Sequence, residues 1–340
     1  MIVPRIELAP GLTVSKMGFG GMALTGVYGQ TDPDEALATL HATVDAGVRF
    51  IDTADVYGTP RPGTDGPAGT NEELIAQLLG VRRDEVQIAT KFGITGEVGE
   101  RNSTRGDRAY VKQACEASLR RLGTDVIDLY YMHRRELTRP IAETVAAMAE
   151  LVTEGKVRHL GLSEVTAAEL RDAAAVHPIA AVQSEWSIWS RDVEASVVPA
   201  AREVGAGFVP YSPLGRGFLT GTLRRDNLRS TMLAGQPRFD EHFDANVRVV
   251  EMIRSVAQEM DATPAQIALA WLYAKGTELG IPVVPIPGTR SAARVKENAV
   301  AATLTLTAGQ VAQLDSAAAL VQGGRNLTFN GADWISAGRE

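Results

Sequence analysis

Strand-like runs alternate with helical segments along almost the whole chain, and this alternation limits the folds that it can adopt. The runs are short and apolar, whereas the segments between them carry apolar residues at helical spacing. Several helical segments begin at a capping residue and end near glycine, as between Asp32 and Gly47. Eight such units predict an α/β protein with a closed (β/α)8 TIM barrel, and an open doubly wound sheet is the alternative. The strand-like runs are residues 17–24, 47–52, 86–91, 126–133, 157–164, 179–185, 207–213 and 281–288.

The 340 residues would be enough for two domains, but the composition shows no break along the chain. We therefore expect one domain over residues 1–340, with a barrel core at about 10–305 and a C-terminal tail at 306–340. The segment IELAPGLTV near the N-terminus has the pattern of a β-hairpin, which is expected to plug one end of the barrel.

Charge and cysteine content limit the possible partners. The formal net charge is −7, which argues against a nucleic-acid or acidic-membrane partner. Cys115 is the only cysteine, so an intrachain disulfide or a cysteine metal cluster is impossible, and its helical context predicts a buried thiol. The N-terminus does not have the apolar core of a signal peptide, and no apolar stretch reaches membrane-spanning length. A cytoplasmic protein is therefore expected.

Four polar side chains lie at or just past strand-like runs and are the strongest functional signal. Asp52 ends the second run and Tyr57 follows it, Lys91 ends the third, and His133 ends the fourth. In a barrel, the carboxyl ends of the strands meet on one face, where active sites form. A Tyr, a Lys, an Asp and a His gathered there predict a proton-transfer site without a metal. Long βα loops after three runs would enclose a substrate or cofactor on this face, unless they are plain surface insertions. These loops are residues 58–70, 93–107 and 212–242.

Seven motifs occur together in an order that is specific to one family. They are GVRFIDTADVYG, IATKFG, DLYYMH, GLSE, QSEWS, PYSPLGRGFLTG, and IPGTR followed by RVKEN. With these motifs the chain closely resembles the aldo-keto reductase superfamily over about residues 10–305, and within it the bacterial branch with pyridoxal-reductase-like and channel-β-like members. The resemblance implies a (β/α)8 barrel, a nicotinamide cofactor that is usually NADPH, and the reduction of aldehydes and ketones to alcohols.

The resemblance gives each of the four polar residues a role. Hydride addition to a carbonyl leaves negative charge on the oxygen, which a nearby acid must protonate. By resemblance Tyr57 is this acid, and the Lys91 cation is expected to lower the Tyr57 pKa from its usual value of about 10. Asp52 would pair with Lys91, and His133 would orient the carbonyl through a hydrogen bond.

The family pattern also assigns residues to the nicotinamide ring. Ser163 and Gln183 match the positions that bind the carboxamide, and Tyr211 matches the aromatic residue that stacks on the ring. Many members have Asn where this chain has Glu164, and a carboxylate cannot donate to the carboxamide oxygen. We therefore expect Ser163 and Gln183, more than Glu164, to hold the carboxamide.

Two glycine-containing segments match the phosphate sites of the family. In SPLGRGFLTG, glycine amides and Arg216 would approach the pyrophosphate. In IPGTRSAARVKEN, Arg290 and Arg294 near a helix start would bind a 2′-phosphate, and Glu297 with Asn298 would contact the adenine. This favours NADPH; NADH stays possible because the loop departs from the Lys-Ser of many members. The expected cofactor-binding residues are Gly21, Met22, Ser163, Gln183, Tyr211, Ser212, Leu214, Gly215, Arg216, Gly217, Gly288, Thr289, Arg290, Arg294, Glu297 and Asn298.

Several residues near these motifs have two interpretations. GFGGMA fits a Rossmann fingerprint, but no helix follows it directly, so we interpret it as the first barrel strand. Arg134 and Arg135 would either contact an anionic substrate or form ion pairs at the rim. Trp186 and Trp189 would either wall the substrate or anchor the core, and the tail with Trp334 would fold over the mouth or pack elsewhere.

The sequence thus predicts an NADP-dependent aldo-keto reductase that reduces a small-molecule aldehyde or ketone, with Tyr57 as general acid. The alternatives are a pyridoxal reductase specifically, or a nicotinamide-binding regulatory subunit like the potassium-channel β subunits. A metal-dependent hydrolase is disfavoured because the five histidines are scattered and form no H-x-H pair. The oligomeric state is left open.

Overall fold

The computed structural model describes residues 3–26, 31–59, 67–95, 103–228 and 231–340, with only the backbone of Asn227. The strands in these ranges are β1 (Arg5–Ala9), β2 (Leu12–Ser15), β3 (Gly18–Gly20), β4 (Phe50–Asp52), β5 (Gln87–Phe92), β6 (Ile127–Met132), β7 (Val157–Ser163), β8 (Ala181–Gln183) and β9 (Gly207–Phe208). The helices are α1 (Pro33–Asp45), α2 (Thr70–Arg82), α3 (Arg108–Leu122), α4 (Ile141–Thr153), α5 (Ala167–Ala174), α6 (Val197–Glu203), α7 (Arg225–Leu228), α8 (Phe243–Glu259), α9 (Pro264–Leu279), α10 (Ala292–Val300) and α11 (Ala308–Ser316).

Strands β3 to β9 form one parallel sheet in which each strand pairs with the next one along the chain. A helix connects most neighbouring strands, and a parallel pair needs such a crossover. This arrangement confirms the predicted (β/α)8 class. GFGGMA forms β3 and a 3₁₀ turn over Gly21–Leu24, and α1 begins only at Pro33, so this segment is the first barrel strand as expected.

The eighth predicted strand, residues 281–288, is not a regular strand, yet it closes the barrel between β9 and β3. Prolines at 282, 285 and 287 have no N–H group, so the ladder on each side is incomplete. The remaining N–H groups donate to β9 and to Pro210 just after it, and two proline carbonyls accept from β3. The hydrogen bonds are Val284 N to Phe208 O (2.9 Å), Ile286 N to Pro210 O (3.1 Å), Gly18 N to Pro285 O (3.0 Å) and Gly20 N to Pro287 O (3.4 Å).

The N-terminal hairpin packs into the barrel, as predicted. β1 and β2 pair antiparallel, and Leu8, Leu12 and Val14 are buried together with Phe50 and Leu129 of the barrel strands. Phe50 begins β4, so the hairpin covers the amino ends of the strands. The carboxyl ends, where the four polar residues lie, stay available on the opposite face.

The helices bury their apolar faces against the outside of the sheet. Asp32 caps α1, as predicted, because its carboxylate accepts from the Asp34 and Glu35 N–H groups at 2.9 and 3.2 Å. Cys115 on α3 is buried, also as predicted, and burial raises the pKa of its thiol to about 12. Within the described ranges, every helix is too short or too polar to span a lipid bilayer.

Candidate active site

Lys91 contacts two of the other three polar residues at the strand ends, Asp52 and Tyr57. Its Nζ atom lies 2.5 Å from Asp52 Oδ1, 2.7 Å from the Thr53 carbonyl oxygen and 3.3 Å from the Tyr57 hydroxyl. Asp52 ends β4 and Lys91 lies near the end of β5, so the pairing of these two parallel strands brings the side chains together. We call Asp52, Tyr57, Lys91 and His133 the tyrosine corner.

The ion pair of the tyrosine corner is buried. The side chains of Lys91 and Asp52 are 0% and 3% exposed. Burial lowers the pKa of Lys91, but the Asp52 charge and the Tyr57 hydroxyl outweigh this effect and leave the pKa above its usual value. Gln183 Nε2 donates to the second Asp52 oxygen at 2.8 Å, which fixes the carboxylate from the other side. Lys91 is therefore a held cation next to the Tyr57 oxygen.

Tyr57 and His133 pack edge to face, with 5.6 Å between the ring centroids. Burial raises the pKa of Tyr57, and the opposing effect of Lys91 is smaller. Lys91 thus acts in the predicted direction, but burial has the larger effect and the net pKa lies above the usual value. Burial, with help from the Lys91 and Arg134 charges, lowers the pKa of His133 well below its usual 6.5. At neutral pH the corner holds a protonated phenol and a neutral imidazole.

A cavity of about 1340 Å³ opens at the carboxyl ends of the strands. Asp52, Tyr57 and His133 line it, and Lys91 lies behind its wall. Two predicted cofactor residues, Gly21 and Gly215, lie outside the lining and pack against Asp52 and Trp189. The predicted cofactor residues that line the cavity are Met22, Ser163, Gln183, Tyr211, Ser212, Leu214, Arg216, Gly217, Gly288, Thr289, Arg290, Arg294, Glu297 and Asn298.

One end of the cavity is formed by the start of α10, which we call the α10 end (residues 288–298). Ser291 caps the helix, and its side chain accepts from the Arg294 N–H group at 3.5 Å. Arg290 and Arg294 are exposed there, and Thr289 is buried beside them. A helix start with unpaired N–H groups and adjacent cations favours an anionic group.

The loop over residues 212–217 forms another wall of the cavity. Ser212, Arg216 and Gly217 have φ values of 48°, 55° and 94°, which turn the backbone into the left-handed region. A Cβ atom on Gly217 would meet none of the described atoms within 4 Å, so the backbone there is open to a ligand. The Arg216 guanidinium lies 3.3 Å from Glu185 Oε2, and Arg216 also lines the cavity.

Comparison with known proteins shows which family has this arrangement. Residues 16–319 match the pattern of the Aldo/keto reductase family. The protein belongs to the aldo/keto reductase family. It is 42% identical over 334 residues to a protein named probable aldo-keto reductase 1 from Glycine max, and the match covers 96% of this chain and 92% of that relative. The family prediction is thereby confirmed, and with it an oxidoreductase that binds a nicotinamide cofactor and acts on small carbonyl compounds.

Two solved structures of aldo/keto reductases are similar over most of their length. Glycerol dehydrogenase AKR11B4 from Gluconobacter oxydans has a TM-score of 0.79 and 26% identity, with 94% of this chain and 96% of that chain covered. An aldo-keto reductase from Klebsiella pneumoniae in complex with NADPH has a TM-score of 0.69 and 27% identity, with 93% of this chain and 95% of that chain covered.

The cavity of this aldo/keto reductase fits a dinucleotide. The open Gly217 backbone and the cationic α10 end are suited to phosphates. Tyr211, Ser163 and Gln183 line the part that leads to the tyrosine corner, where a flat ring with an amide group would find an aromatic face and hydrogen-bond partners.

The two arginines after β6 differ. Arg135 forms an ion pair with Glu169 at 3.0 Å, which is the predicted rim contact. Arg134 instead lines the cavity of the reductase, and its Nη1 donates to the His133 carbonyl oxygen at 2.6 Å and to Ser163 Oγ at 3.1 Å. Arg134 therefore places positive charge next to the tyrosine corner.

The tryptophans also separate into two groups. Trp186 and Trp189 are buried in the core, with ring centroids 5.2 Å from Phe208 and 4.9 Å from Phe218, so they anchor and do not wall a substrate. Trp334 lines the cavity, so the tail folds over the mouth. Arg325, Asn326, Leu327 and Phe329 line it too, and sequence reasoning missed them. The available signal was one arginine in the otherwise uncharged stretch VQGGRNLTFNGA.

Proposed function

We propose that this protein reduces an aldehyde or ketone to the alcohol with NADPH, and that Tyr57 is the general acid. The observation that carries the proposal is the contact of Lys91 Nζ with both the Asp52 carboxylate and the Tyr57 hydroxyl at the wall of the cavity. A neutral tyrosine holds the proton that the reaction needs. The adjacent ammonium stabilises the phenolate that forms when this proton leaves.

When bound, a nicotinamide cofactor would supply a hydride to the carbonyl carbon, and the residues of this chain would supply the proton and orient the carbonyl. Tyr57 donates to the carbonyl oxygen, whose charge rises during the reaction. His133 is neutral, so one of its ring nitrogens can donate a hydrogen bond to the same oxygen and orient the carbonyl. Asp52 holds Lys91 in place, and Gln183 holds Asp52. Burial keeps the pKa of Tyr57 above its usual value, so its hydroxyl holds a proton at neutral pH, and burial lowers the pKa of His133, so its ring is neutral.

NADPH is the proposed cofactor because the α10 end is cationic. Arg290 and Arg294 line the cavity at a helix start, where a 2′-phosphate gains both charge and N–H donors. The NADPH complex of the Klebsiella pneumoniae relative is consistent with this preference.

Tyr57→Phe tests the acid. We expect turnover to fall roughly 10²- to 10⁴-fold, because the proton donor is lost, while the Kd for NADPH stays within about twofold. Turnover is measured by NADPH oxidation with 4-nitrobenzaldehyde, a quinone, pyridoxal and a ketosugar, which also separates a pyridoxal reductase from a broader one. Tyr273→Phe on α9 is the matched control, because it removes a buried hydroxyl outside the cavity. A Tyr57→Phe enzyme with wild-type turnover rejects the assignment.

A further inference from the structure

Glu164 is the residue of the nicotinamide region that the family pattern does not explain. It follows Ser163, which lines the cavity, but among the described residues Glu164 is not part of the lining. Its side chain is 0% exposed and its φ is 50°, in the left-handed region that a glutamate rarely adopts. A strained backbone persists when its surroundings hold it, and such residues cluster at functional sites.

The carboxylate is bound by the C-terminal segment, residues 325–340. Arg325 donates to both Glu164 oxygens, at 2.8 and 3.0 Å, and Ser336 donates to Oε2 through its N–H group at 2.9 Å and its hydroxyl at 3.0 Å. Arg325 also donates to Asp192 at 2.8 and 2.9 Å. The charge of Arg325 is the main effect that opposes burial and keeps the Glu164 pKa below its usual range. A bidentate, buried arginine–carboxylate pair therefore fixes the segment to the end of β7.

Other contacts hold the last residues of the chain to the same region. Arg339 donates to the Glu164 carbonyl oxygen and to both Glu169 oxygens. Glu340 Oε1 accepts from the Ala167 N–H group at 2.8 Å, at the start of α5. Both ends of the segment are thus tied to residues 164–169.

The same carboxylate holds the wall of the nicotinamide region. The Tyr211 hydroxyl donates to Glu164 Oε1 at 2.8 Å, and the Glu185 N–H group donates to the same atom at 3.2 Å. Tyr211 lines the cavity. Burial, then the Glu164 charge, raises the pKa of Tyr211, so its hydroxyl stays protonated and keeps donating.

The C-terminal segment also forms part of the cavity wall. The Trp334 ring lies against the Arg134 guanidinium, 5.3 Å from ring centroid to Cζ, and Arg134 donates in turn to Ser163 Oγ. Trp334, Leu327 and Phe329 line the cavity with Arg134. If the segment left, this apolar cover would be lost and Arg134 would face solvent.

We propose that Glu164 and Arg325 are positioning residues of the reductase. Their ion pair fixes two walls at once: the C-terminal segment that covers the carbonyl substrate, and the Tyr211 side chain in the nicotinamide region. The assignment of one wall to the carbonyl substrate and of the other to the nicotinamide rests on the proposed function. In this chain the position of the family's Asn thus serves to join the tail to the cofactor side, and Ser163 and Gln183 remain for the carboxamide.

Three variants test the proposal. Arg325→Met removes the ion pair between Glu164 and Arg325. The double variant Glu164→Gln with Arg325→Met also removes it but leaves no buried unpaired carboxylate, and it serves if the single variant fails to fold. Tyr211→Phe removes only the hydroxyl link. The emission of Trp334 reports the segment and is obtained as the difference between each protein and its Trp334→Phe version. The KM for 4-nitrobenzaldehyde reports the substrate wall, and the Kd for NADPH reports the cofactor wall.

We expect the single and the double Arg325→Met variants to shift the Trp334 emission to longer wavelength and to raise the KM about tenfold, with a smaller change in kcat. Tyr211→Phe should leave the emission unchanged and raise the Kd for NADPH a few-fold. Arg325→Lys, which keeps the charge but not the bidentate contact, should be intermediate. Arg171→Ala is the control: it breaks an exposed ion pair of α5 with Glu203 and should change none of these values.

Unchanged Trp334 emission in both Arg325 variants overturns the proposal, as does a shifted emission with an unchanged KM. Equal rises of KM and of the Kd for NADPH in the double variant, with no emission shift, would also overturn it. If the wild type turns over no carbonyl compound, the proposed reaction is wrong. The Trp334 emission then tests the Glu164–Arg325 ion pair by itself: a shift in the Arg325→Met variants supports its role in holding the C-terminal segment, and no shift rejects that role.

Discussion

The tyrosine corner and the α10 end hold their cations in opposite settings. Lys91 is fully buried and has three oxygen partners within 3.3 Å, whereas Arg290 and Arg294 are exposed at a helix start. The stability of a buried charge depends on its immediate partners, and salt screens its interactions little. An exposed charge acts at longer range and is screened strongly. The reduction step and cofactor selection should therefore respond differently to substitution, salt and pH.

The largest expected effect is that of a substitution in the tyrosine corner. Lys91→Met should lower turnover about 10²-fold or more and destabilise the fold by about 3–5 kcal/mol, because it leaves the Asp52 carboxylate buried without its cation. Turnover per folded enzyme and urea unfolding are the measurements. The variant Asp52→Asn with Lys91→Met serves if the single variant does not fold.

Lys275→Met is the matched control for this variant. Lys275 on α9 is also buried, with its side chain 4% exposed, and pairs with Glu278 at 2.7 Å and Asp315 at 3.3 Å, but it does not line the cavity. Lys275→Met should lower the free energy of unfolding and leave turnover per folded enzyme unchanged. If both variants lose turnover equally after correction for the folded fraction, the special role of the tyrosine corner is refuted.

A smaller effect is expected for substitutions at the α10 end. Arg290→Ala with Arg294→Ala should raise the Kd for NADPH about 10- to 100-fold and the Kd for NADH less than about threefold, because only NADPH carries the 2′-phosphate. The wild-type Kd for NADPH should rise with KCl, and this dependence should be weaker in the variant. Lys296→Ala, an exposed cation of the same helix outside the cavity lining, is the control. Equal losses for both cofactors would reject the 2′-phosphate role.

The smallest expected effect is that of pH. The pKa of Tyr57 and of Lys91 is raised and that of His133 is well below 6.5, so none of the three groups changes its proton between about pH 6 and pH 9. The kcat for carbonyl reduction should vary less than about twofold over this range, and it should fall only above it, as Tyr57 loses its proton. A one-proton inflection near 6.5 that disappears in His133→Gln would contradict the neutral imidazole.

The sequence predicts the tyrosine corner well because strand order decides it. Asp52 and Lys91 end neighbouring parallel strands, so any barrel with this order brings them together. The sequence does not reveal how much of Tyr57 is buried, so it predicts the lowering of the Tyr57 pKa by Lys91 but not the larger opposing effect of burial. Burial depends on the loops and the tail that cover the strand ends, and their conformation leaves no periodic pattern.

The tie between Glu164 and Arg325 could not be predicted for a related reason. The two residues are 161 positions apart, and only the fold of an irregular tail brings them together. The sequence offered a single arginine in the stretch VQGGRNLTFNGA and a glutamate at a position where many members of the family have Asn. That departure showed only what Glu164 does not do. Its partners required the structure.

The prolines of the closing segment limit how the barrel can be joined. A slip of residues 281–288 by one position in either direction would place Pro285 where Val284 or Ile286 now donates, and a hydrogen bond to Phe208 or Pro210 would be lost. The same slip would separate Gly20 from Gly288, whose backbones approach so closely that a Cβ on Gly288 would lie 2.6 Å from the Gly20 carbonyl oxygen. Misaligned closure is thus disfavoured before any ligand binds, and correct closure by itself sets the spacing between the first strand and the α10 end.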